Sequence, residues 1–271
     1  MQDRYRILRE IGRGATGTVF EAVDALTGEH VAVKILRTAM RANPVARQRF
    51  LREVEAASRV DHPVIIKIYG WGEQEDLSYI VMEFVDGQPL SKLLSPIAPY
   101  PLVATVRIVH QLASGLAAVH RAGLVHRDIK PDNIMVLKET TVKLSDFGVA
   151  KFPDSAVTQA GELWGTLSYM SPEQVQGKLN VDAQSDIFSL GVVLFELLSC
   201  RRPFDGDSIG AALVRRIVED PVPRVSTLKP GIPEVFDILI ARALAKKPGD
   251  RYTASEFAQA LKEVLPFLRL G

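Results

Sequence analysis

The stretch IGRGATGTVFEAVDALTGEHVAVKIL, residues 11–36, decides the fold. Gly12, Gly14 and Gly17 follow an apolar run, and their G-x-G-x-x-G spacing is found in dinucleotide-binding folds, in nucleoside triphosphate loops and in plain hairpins. In a Rossmann fold the loop leads into a helix, but the residues after Gly17 are β-branched, alternate in polarity and are interrupted by a turn. The Lys and Ser or Thr pair of a Walker loop is also absent. There remains a glycine loop between two antiparallel strands, whose backbone N–H groups can approach a polyphosphate.

The composition is that of a folded protein with balanced charge. Of 271 residues, 47% are apolar and 24% charged, which is enough for one large or two small domains. The net charge of +1 argues against a protein built mainly to coat nucleic acid or an anionic membrane. The one cysteine, Cys200, suits a reducing compartment, and we expect it to be a small core residue. No signal peptide is visible, and the apolar run 187–200 is too short to span a bilayer.

The hydrophobic pattern changes from strand to helix near residue 85. Alternating segments predict strands at 5–11, 18–23, 30–36, 65–71 and 79–85, with one helix at about 45–60. Beyond them Ile108, Leu112, Leu116 and Val119 form the apolar stripe of a helix that ends near Gly123. Short strands are predicted at 134–137 and 142–145, and further helices at 186–199, 208–219, 233–245 and 254–265. A small strand-rich part is therefore followed by a larger helical part.

Several motifs then occur in a fixed order along the chain. They are GRGATGTV at 12–19, VAVK at 31–34, HRDIKPDN at 126–133, DFG at 146–148 and SPE at 171–173. By these motifs, over roughly residues 5–265, the chain resembles the eukaryotic-type (Hanks-type) protein serine/threonine kinase catalytic domain. The segments VMEFVDGQPL and KKPGDRYTASEFAQAL make it most similar to bacterial receptor-type kinases.

The resemblance implies an α+β, two-lobed protein kinase fold: a small lobe of antiparallel sheet with one main helix, and a larger helical lobe. It implies one kinase domain over residues 1–271, with an N-lobe of about 1–83, a hinge of about 84–87 and a C-lobe of about 88–271. The active site is expected in the cleft between the lobes.

The resemblance also assigns the catalytic and metal-binding side chains. Lys34 would pair with the α- and β-phosphates of ATP and be held by a carboxylate of the helix, for which Glu53 is the best candidate and Glu55 the second. Asp128 would accept the proton of the attacking hydroxyl, and Lys130 would neutralise the transferred phosphate.

Magnesium follows from the same resemblance and from the balance of charge. Asp146 would bind Mg²⁺ that bridges the phosphates, and Asn133 would supply an oxygen to a second ion. Two carboxylates near a triphosphate would each repel it by about 4 kcal/mol per contact at an effective dielectric of 20. Only a divalent cation relieves this repulsion, so the expected cofactors are ATP and Mg²⁺.

The remaining nucleotide contacts are implied by the family pattern. Besides Gly12, Gly14, Gly17 and Lys34, the expected residues are Val19, Ala32 and Met135 around the adenine ring, Met82 behind it, and the backbone groups of Glu83 and Val85 along its edge. For the apolar members the alternative is ordinary core packing.

The segment between DFG and SPE is expected to act as a switch. Thr158 is the first candidate for phosphorylation and Ser155 the second, with Arg127 and Lys151 as the cations of a phosphate pocket. Thr166 and Lys130 match the serine/threonine class. Three further residues are expected to be structural: Glu173 and Arg251 as an ion pair, and Asp186 as the support of the catalytic-loop backbone.

The resemblance implies protein substrates that carry serine or threonine, and it allows a homodimer that phosphorylates its own activation segment. It indicates no nucleic-acid partner, no membrane segment in this chain, and a cytoplasmic location, alone or as the intracellular part of a longer membrane-anchored protein. The alternatives are a pseudokinase scaffold and a small-molecule phosphotransferase on the same fold. Both are disfavoured because Lys34, Asp128, Asp146 and the SPE segment are present together.

Overall fold

The computed structural model describes residues 4–14, 17–36, 44–74, 77–138, 140–146, 167–178, 181–205 and 210–269. An antiparallel sheet lies in the first part of the chain and most of the helices lie in the second. The α+β architecture expected from the change of pattern near residue 85 is therefore confirmed.

The sheet of the first part has five strands. They are β1 (Tyr5–Gly14), β2 (Gly17–Asp24), β3 (His30–Leu36), β4 (Ile68–Gln74) and β5 (Leu77–Glu83). Their order in the sheet is β1-β2-β3-β5-β4, and all neighbours are antiparallel. The strand predicted from residue 65 begins at Ile68, because Ile65 forms a parallel bridge to Leu144 of the helical part instead.

One helix, α1 (Pro44–Ser58), packs against this sheet. Val54 and Ala57 are buried on it and contact one apolar residue from each of β3, β4 and β5. The spacing of three residues brings both side chains to the same face of the helix. Glu53, beside this face, is half-buried.

The helical part is built around two long helices. Its described helices are α2 (Leu90–Leu93), α3 (Leu102–Arg121), α4 (Pro172–Val175), α5 (Ala183–Ser199), α6 (Ala211–Glu219), α7 (Val225–Leu228), α8 (Val235–Ala243) and α9 (Ala254–Val264). Helix α3 packs against α5 and α9, and Leu112, Leu116, Phe188 and Phe195 lie in the shared core. Among the described helices α3 alone has the length and hydropathy of a membrane span, but its apolar stripe is buried in this core.

A small second sheet carries the loop that holds the HRDIKPDN motif. It consists of β6 (Gln88–Pro89), β7 (Ile134–Val136) and β8 (Val142–Leu144). Leu144 N–H donates to the Val64 carbonyl at 2.6 Å, and Ile66 N–H donates to the Leu144 carbonyl at 3.0 Å. These bonds join β8 to the segment before β4, so they fix the loop relative to the five-stranded sheet.

The prediction that Cys200 is a small core residue is wrong. Cys200 is half-buried and forms the C-cap of α5 in a left-handed conformation, with φ of 63°. Its backbone N–H donates to the Glu196 carbonyl at 2.8 Å, which ends the helix.

Candidate active site

The three glycines of the β1–β2 hairpin differ in their surroundings. A Cβ atom added to Gly17 would lie 2.2 Å from the Ile35 carbonyl oxygen of β3, so glycine is required there for strand packing. A Cβ added to Gly12 or Gly14 would meet no atom within 4 Å. These two glycines leave open space beside the backbone of β1, as a loop that covers a phosphate chain requires.

Lys34 and Asp146 form the central ion pair of the site. Lys34 extends from β3 with its side chain only 10% exposed, and its Nζ lies 2.5 Å from Asp146 Oδ1. Asp146 has a φ of 57°, a left-handed conformation that few non-glycine residues adopt. The fold therefore places an ammonium and a carboxylate together beside β3, the middle strand of the five-stranded sheet.

Glu53, the partner of Lys34 that the sequence predicts, contacts Arg127 in this structure. Glu53 Oε1 lies 3.3 Å from Nη1 of Arg127, and among the described residues no ion pair joins Glu53 to Lys34. Asp146 is the carboxylate in direct contact with the Lys34 ammonium, and the Arg127 guanidinium is the cation in contact with Glu53. Glu55, the second candidate, points to solvent, is 62% exposed and pairs with Arg59 at 2.7 Å.

The catalytic-loop side chains converge on Asp128. Asn133 Nδ2 donates to the Asp128 carbonyl at 2.7 Å and to its Oδ2 at 3.0 Å, and Lys130 Nζ lies 3.3 Å from Oδ2. Ser145 donates its N–H and its hydroxyl to the Asn133 carbonyl at 2.8 and 3.1 Å. Because Ser145 precedes Asp146, these bonds bring Asn133 close to Asp146.

Asp186 supports the backbone of this loop, as the sequence predicted. Its buried carboxylate accepts the backbone N–H of His126 and of Arg127, both at 2.8 Å, and lies 2.8 Å from His120 Nε2. Arg127 has a φ of 65°, so the loop is held in a strained conformation by fixed partners. Burial of the neighbouring His126 lowers the pKa of its imidazole, which favours the neutral ring.

The guanidinium of Arg127 is incompletely hydrogen-bonded. Its Nη1 contacts Glu53, but its Nε is buried and has no partner in the part of the chain that the structure describes. Such a group costs free energy when it is left unpaired. Arg127 thus has one buried donor that the described residues leave unpaired.

The predicted ion pair of Glu173 and Arg251 is confirmed. Two bonds of 2.7 and 2.8 Å join the side chains, and both are buried. Although burial alone would raise the pKa of Glu173, hydrogen bonds from Arg251 and Ser185 lower it to about 2. The ion pair fixes α4 to the turn before α9.

The apolar residues expected around adenine fall into one cluster, with one exception. Ala32 and Met82 are cross-strand partners and pack with Ile66, and Val19 and Val85 lie against them. Met135 lies on β7 in the second sheet, where it is half-buried. The N–H of Glu83 already donates to the Lys67 carbonyl at 2.8 Å, so this N–H is not available to a ligand.

The donor set near Asp146 matches the requirements of magnesium. In the described ranges no three His, Cys, Asp or Glu residues are grouped as a preformed metal site. Mg²⁺ is commonly held by one or two carboxylates together with substrate phosphates. Asp146, with the amide of the nearby Asn133, is such a set, so the residues fit an ion that arrives with the nucleotide.

Four predicted residues, Lys151, Ser155, Thr158 and Thr166, lie outside the described residues. Sequence reasoning missed Gln174, whose side chain contacts both Ser171 and the catalytic loop. The pattern Ser-x-x-Gln at 171–174, a capping-box signature, was the available signal.

Known proteins resemble this chain over most of its length. The family model described as "Protein kinase domain" matches residues 5–262. A probable serine/threonine-protein kinase PknB of Lactococcus lactis is 40% identical over 256 residues, which are 94% of this chain and 40% of that protein. Serine/threonine-protein kinase PrkC of Bacillus subtilis is 38% identical over 258 residues, or 95% of this chain and 40% of that protein. The chain thus spans about two fifths of the length of these relatives.

A solved structure shares the fold. The Mycobacterium tuberculosis PknI kinase domain superposes with a TM-score of 0.76 and 30% sequence identity, covering 96% of this chain and 94% of that one.

Proposed function

The chain belongs to the protein kinase family, and we propose that it transfers the γ-phosphate of ATP to serine and threonine hydroxyls of protein substrates. The observation that carries the proposal is the Lys34–Asp146 ion pair beside the Asn133–Asp128 contact. This arrangement unites a cation for the phosphates, a carboxylate for a metal and a carboxylate for the substrate hydroxyl.

Each residue has a role that follows from its position. Lys34 contacts the α- and β-phosphates below the open backbone of Gly12 and Gly14. Asp128, oriented by Asn133, accepts the proton of the attacking hydroxyl, and Lys130 offsets charge on the transferred group. Mg²⁺ held by the Asp146 carboxylate and the Asn133 amide would neutralise phosphate charge that the carboxylates of Asp128 and Asp146 would otherwise repel.

The apolar cluster between the sheet and the helical part would bind the adenine ring. Val19 and Ala32 lie on one side, Met135 on the other, and Met82 limits the depth of the pocket. The Glu83 carbonyl and the Val85 backbone are assigned to the adenine edge. The observation in support is that Val19, Ala32, Met82 and Val85 share one apolar cluster.

The switch residues are proposed by the same logic. Thr158, and after it Ser155, is the phosphorylation site, and Arg127 with Lys151 binds the phosphate. The incompletely bonded guanidinium of Arg127 supports this role. Thr166 is assigned to the contact with Asp128 and Lys130 that is typical of the serine/threonine class.

We also propose that the catalytic unit works in the cytoplasm as part of a longer protein, which the length of its relatives supports. A homodimer would permit phosphorylation of one activation segment by the second copy.

Mass spectrometry of the protein after incubation with Mg²⁺ and ATP tests the proposal, with Asp146→Asn as the matched variant. We expect phosphate on Thr158 or Ser155 in the wild type and none in the variant. Nucleotide binding without phosphorylation of the chain itself or of generic protein substrates would instead indicate a scaffold.

A further inference from the structure

The side chain of Gln174 bridges the end of the SPE segment and the catalytic loop. Its Oε1 accepts the N–H of Ser171 at 2.9 Å and the Ser171 hydroxyl at 3.1 Å. Its Nε2 donates to the Arg127 carbonyl at 3.1 Å. Because one partner is an N–H and the other a carbonyl, a side-chain amide in this orientation satisfies both, whereas an ionised carboxylate satisfies only the N–H.

The carbonyl that Gln174 holds belongs to the peptide bond between Arg127 and Asp128. On the other edge of this peptide, the Asp128 N–H donates to His126 Nδ1 at 3.3 Å. The preceding peptide is held by Asp186, which accepts the Arg127 N–H. Gln174 and His126 therefore fix the plane from which the Asp128 side chain projects, next to a residue in a left-handed conformation.

Gln174 is itself held by a rigid support. Its neighbour Glu173 is fixed by the buried pair with Arg251, and the helix begins with the reciprocal capping box of Ser171 and Gln174. Movement of this helix would move the Nε2 donor away from the catalytic loop.

We propose that Gln174 is a positioning residue for Asp128, and that it transmits the placement of the SPE segment to the catalytic loop. The inference rests on the proposed kinase function, in which Asp128 is the proton acceptor. Its chemical requirement is specific: residue 174 must accept from Ser171 and donate to Arg127 at the same time.

Gln174→Glu separates these two tasks. A carboxylate still accepts from Ser171, so the helix cap is kept, but it cannot donate to the Arg127 carbonyl. Gln174→Met is close in length and loses both bonds. Glu256→Gln is the control, because Thr253 and Glu256 form a capping box at the start of α9. There an acid is replaced by an amide, the reverse of the change from amide to acid at residue 174.

We expect Gln174→Glu to lower kcat about tenfold, the effect of a lost orienting hydrogen bond, with KM for ATP close to that of the wild type and a small fall in Tm, because the ionised carboxylate faces a carbonyl oxygen. Gln174→Met should lower both kcat and Tm. Glu256→Gln should leave kcat unchanged.

The pH profile gives a second readout that a purely structural role would not change. A carboxylate that faces a carbonyl oxygen takes up a proton more readily, and the protonated acid can donate the missing bond. The ratio of Gln174→Glu to wild-type kcat should therefore rise as the pH falls from 8 to 6. Wild-type kcat in this variant, or a loss that only follows the loss of folded protein, would overturn the proposal.

Hydrogen exchange separates this inference from the proposed function. Backbone exchange across residues 124–133 should increase in Gln174→Glu and stay at the wild-type level in Glu256→Gln. An inactive wild-type protein would refute the kinase proposal, yet exchange would still test whether Gln174 holds the loop. Equal exchange in wild type and Gln174→Glu would refute the positioning role even in an active enzyme.

Discussion

Glu53 on α1 and Arg127 in the catalytic loop form an ion pair of 3.3 Å, which links the helix of the sheet part to the HRD motif. Lys34 is at the same time 2.5 Å from Asp146. Glu53 is the carboxylate proposed to hold Lys34, and Arg127 is the cation proposed to bind the phosphate of the activation segment. In this structure the two are bound to each other. Glu53 must exchange Arg127 for Lys34 if both roles are correct.

Glu53→Gln tests the value of this carboxylate. We expect kcat/KM for ATP to fall about a hundredfold, the scale of a misplaced reacting group, because a neutral amide pairs weakly with Lys34 and Arg127. Steady-state kinetics measure the effect. Glu55→Gln is the control, since its exposed pair with Arg59 contributes little, and equal losses in the two variants would contradict the assignment of Glu53.

Lys34→Met and Asp146→Asn should both abolish phosphoryl transfer, but they should differ in stability. Asp146→Asn leaves the nearly buried Lys34 ammonium without its counter-charge, whereas Lys34→Met leaves an aspartate that is 34% exposed and can be hydrated. The larger fall in Tm is therefore expected for Asp146→Asn. The opposite order would show that the ion pair does not stabilise the fold in this way.

The Glu173–Arg251 pair should make stability depend on pH in the acid range. The pKa of Glu173 is lowered in the folded protein to about 2, below that of an unfolded glutamate at about 4.3. Its stabilising effect is thus complete above pH 4.3 and is lost as the pH falls from there towards 2.

Urea unfolding of wild type and Glu173→Gln at a series of pH values measures this effect. At pH 7 the free energy of unfolding of Glu173→Gln should be about 3 to 5 kcal/mol lower than that of the wild type, because the variant leaves the buried Arg251 guanidinium without a counter-charge. This difference in free energy should become smaller below pH 4.3. Glu219→Gln removes an exposed pair with Arg215 and should change stability by less than about 1 kcal/mol. If the difference in unfolding free energy between wild type and Glu173→Gln stayed constant down to pH 3, the lowered pKa of Glu173 would not be the cause of the pH dependence.

Two glycines of the β1–β2 hairpin are expected to differ in role: Gly17 is needed for folding, and Gly12 for nucleotide binding. Gly17→Ala drives a Cβ into the Ile35 carbonyl and should cost about 2 kcal/mol of unfolding free energy, as overpacking does. Gly12→Ala adds a Cβ in open space and should change stability by less than about 1 kcal/mol, while it weakens ATP binding. Thermal denaturation and nucleotide titration of both variants provide the comparison, and an unaltered ATP affinity in Gly12→Ala would remove Gly12 from the site.

The hydrophobic pattern of the sequence predicted helices and strands well where a single periodicity, either helical or alternating, was present. The stripe of Ile108, Leu112, Leu116 and Val119 gave the helix α3, and alternation gave β3 over the expected residues. The start of β4 was predicted three residues too early, because an apolar run does not reveal that Ile65 pairs with Leu144. The local sequence pattern shows which side chains are apolar, but it does not show which strand a segment will pair with.

The sequence by itself determined the family and the α+β class, and it predicted Lys34, Asp128, Asn133 and Asp146 as site residues, since all of these depend on residue type and order. The tertiary structure decided which charges meet. It paired Lys34 with Asp146 and Glu53 with Arg127, and it brought Gln174 to the Arg127 carbonyl across 47 residues. Ion pairs and hydrogen bonds depend on distances of a few ångströms, and those distances exist only after the chain has packed into its tertiary fold.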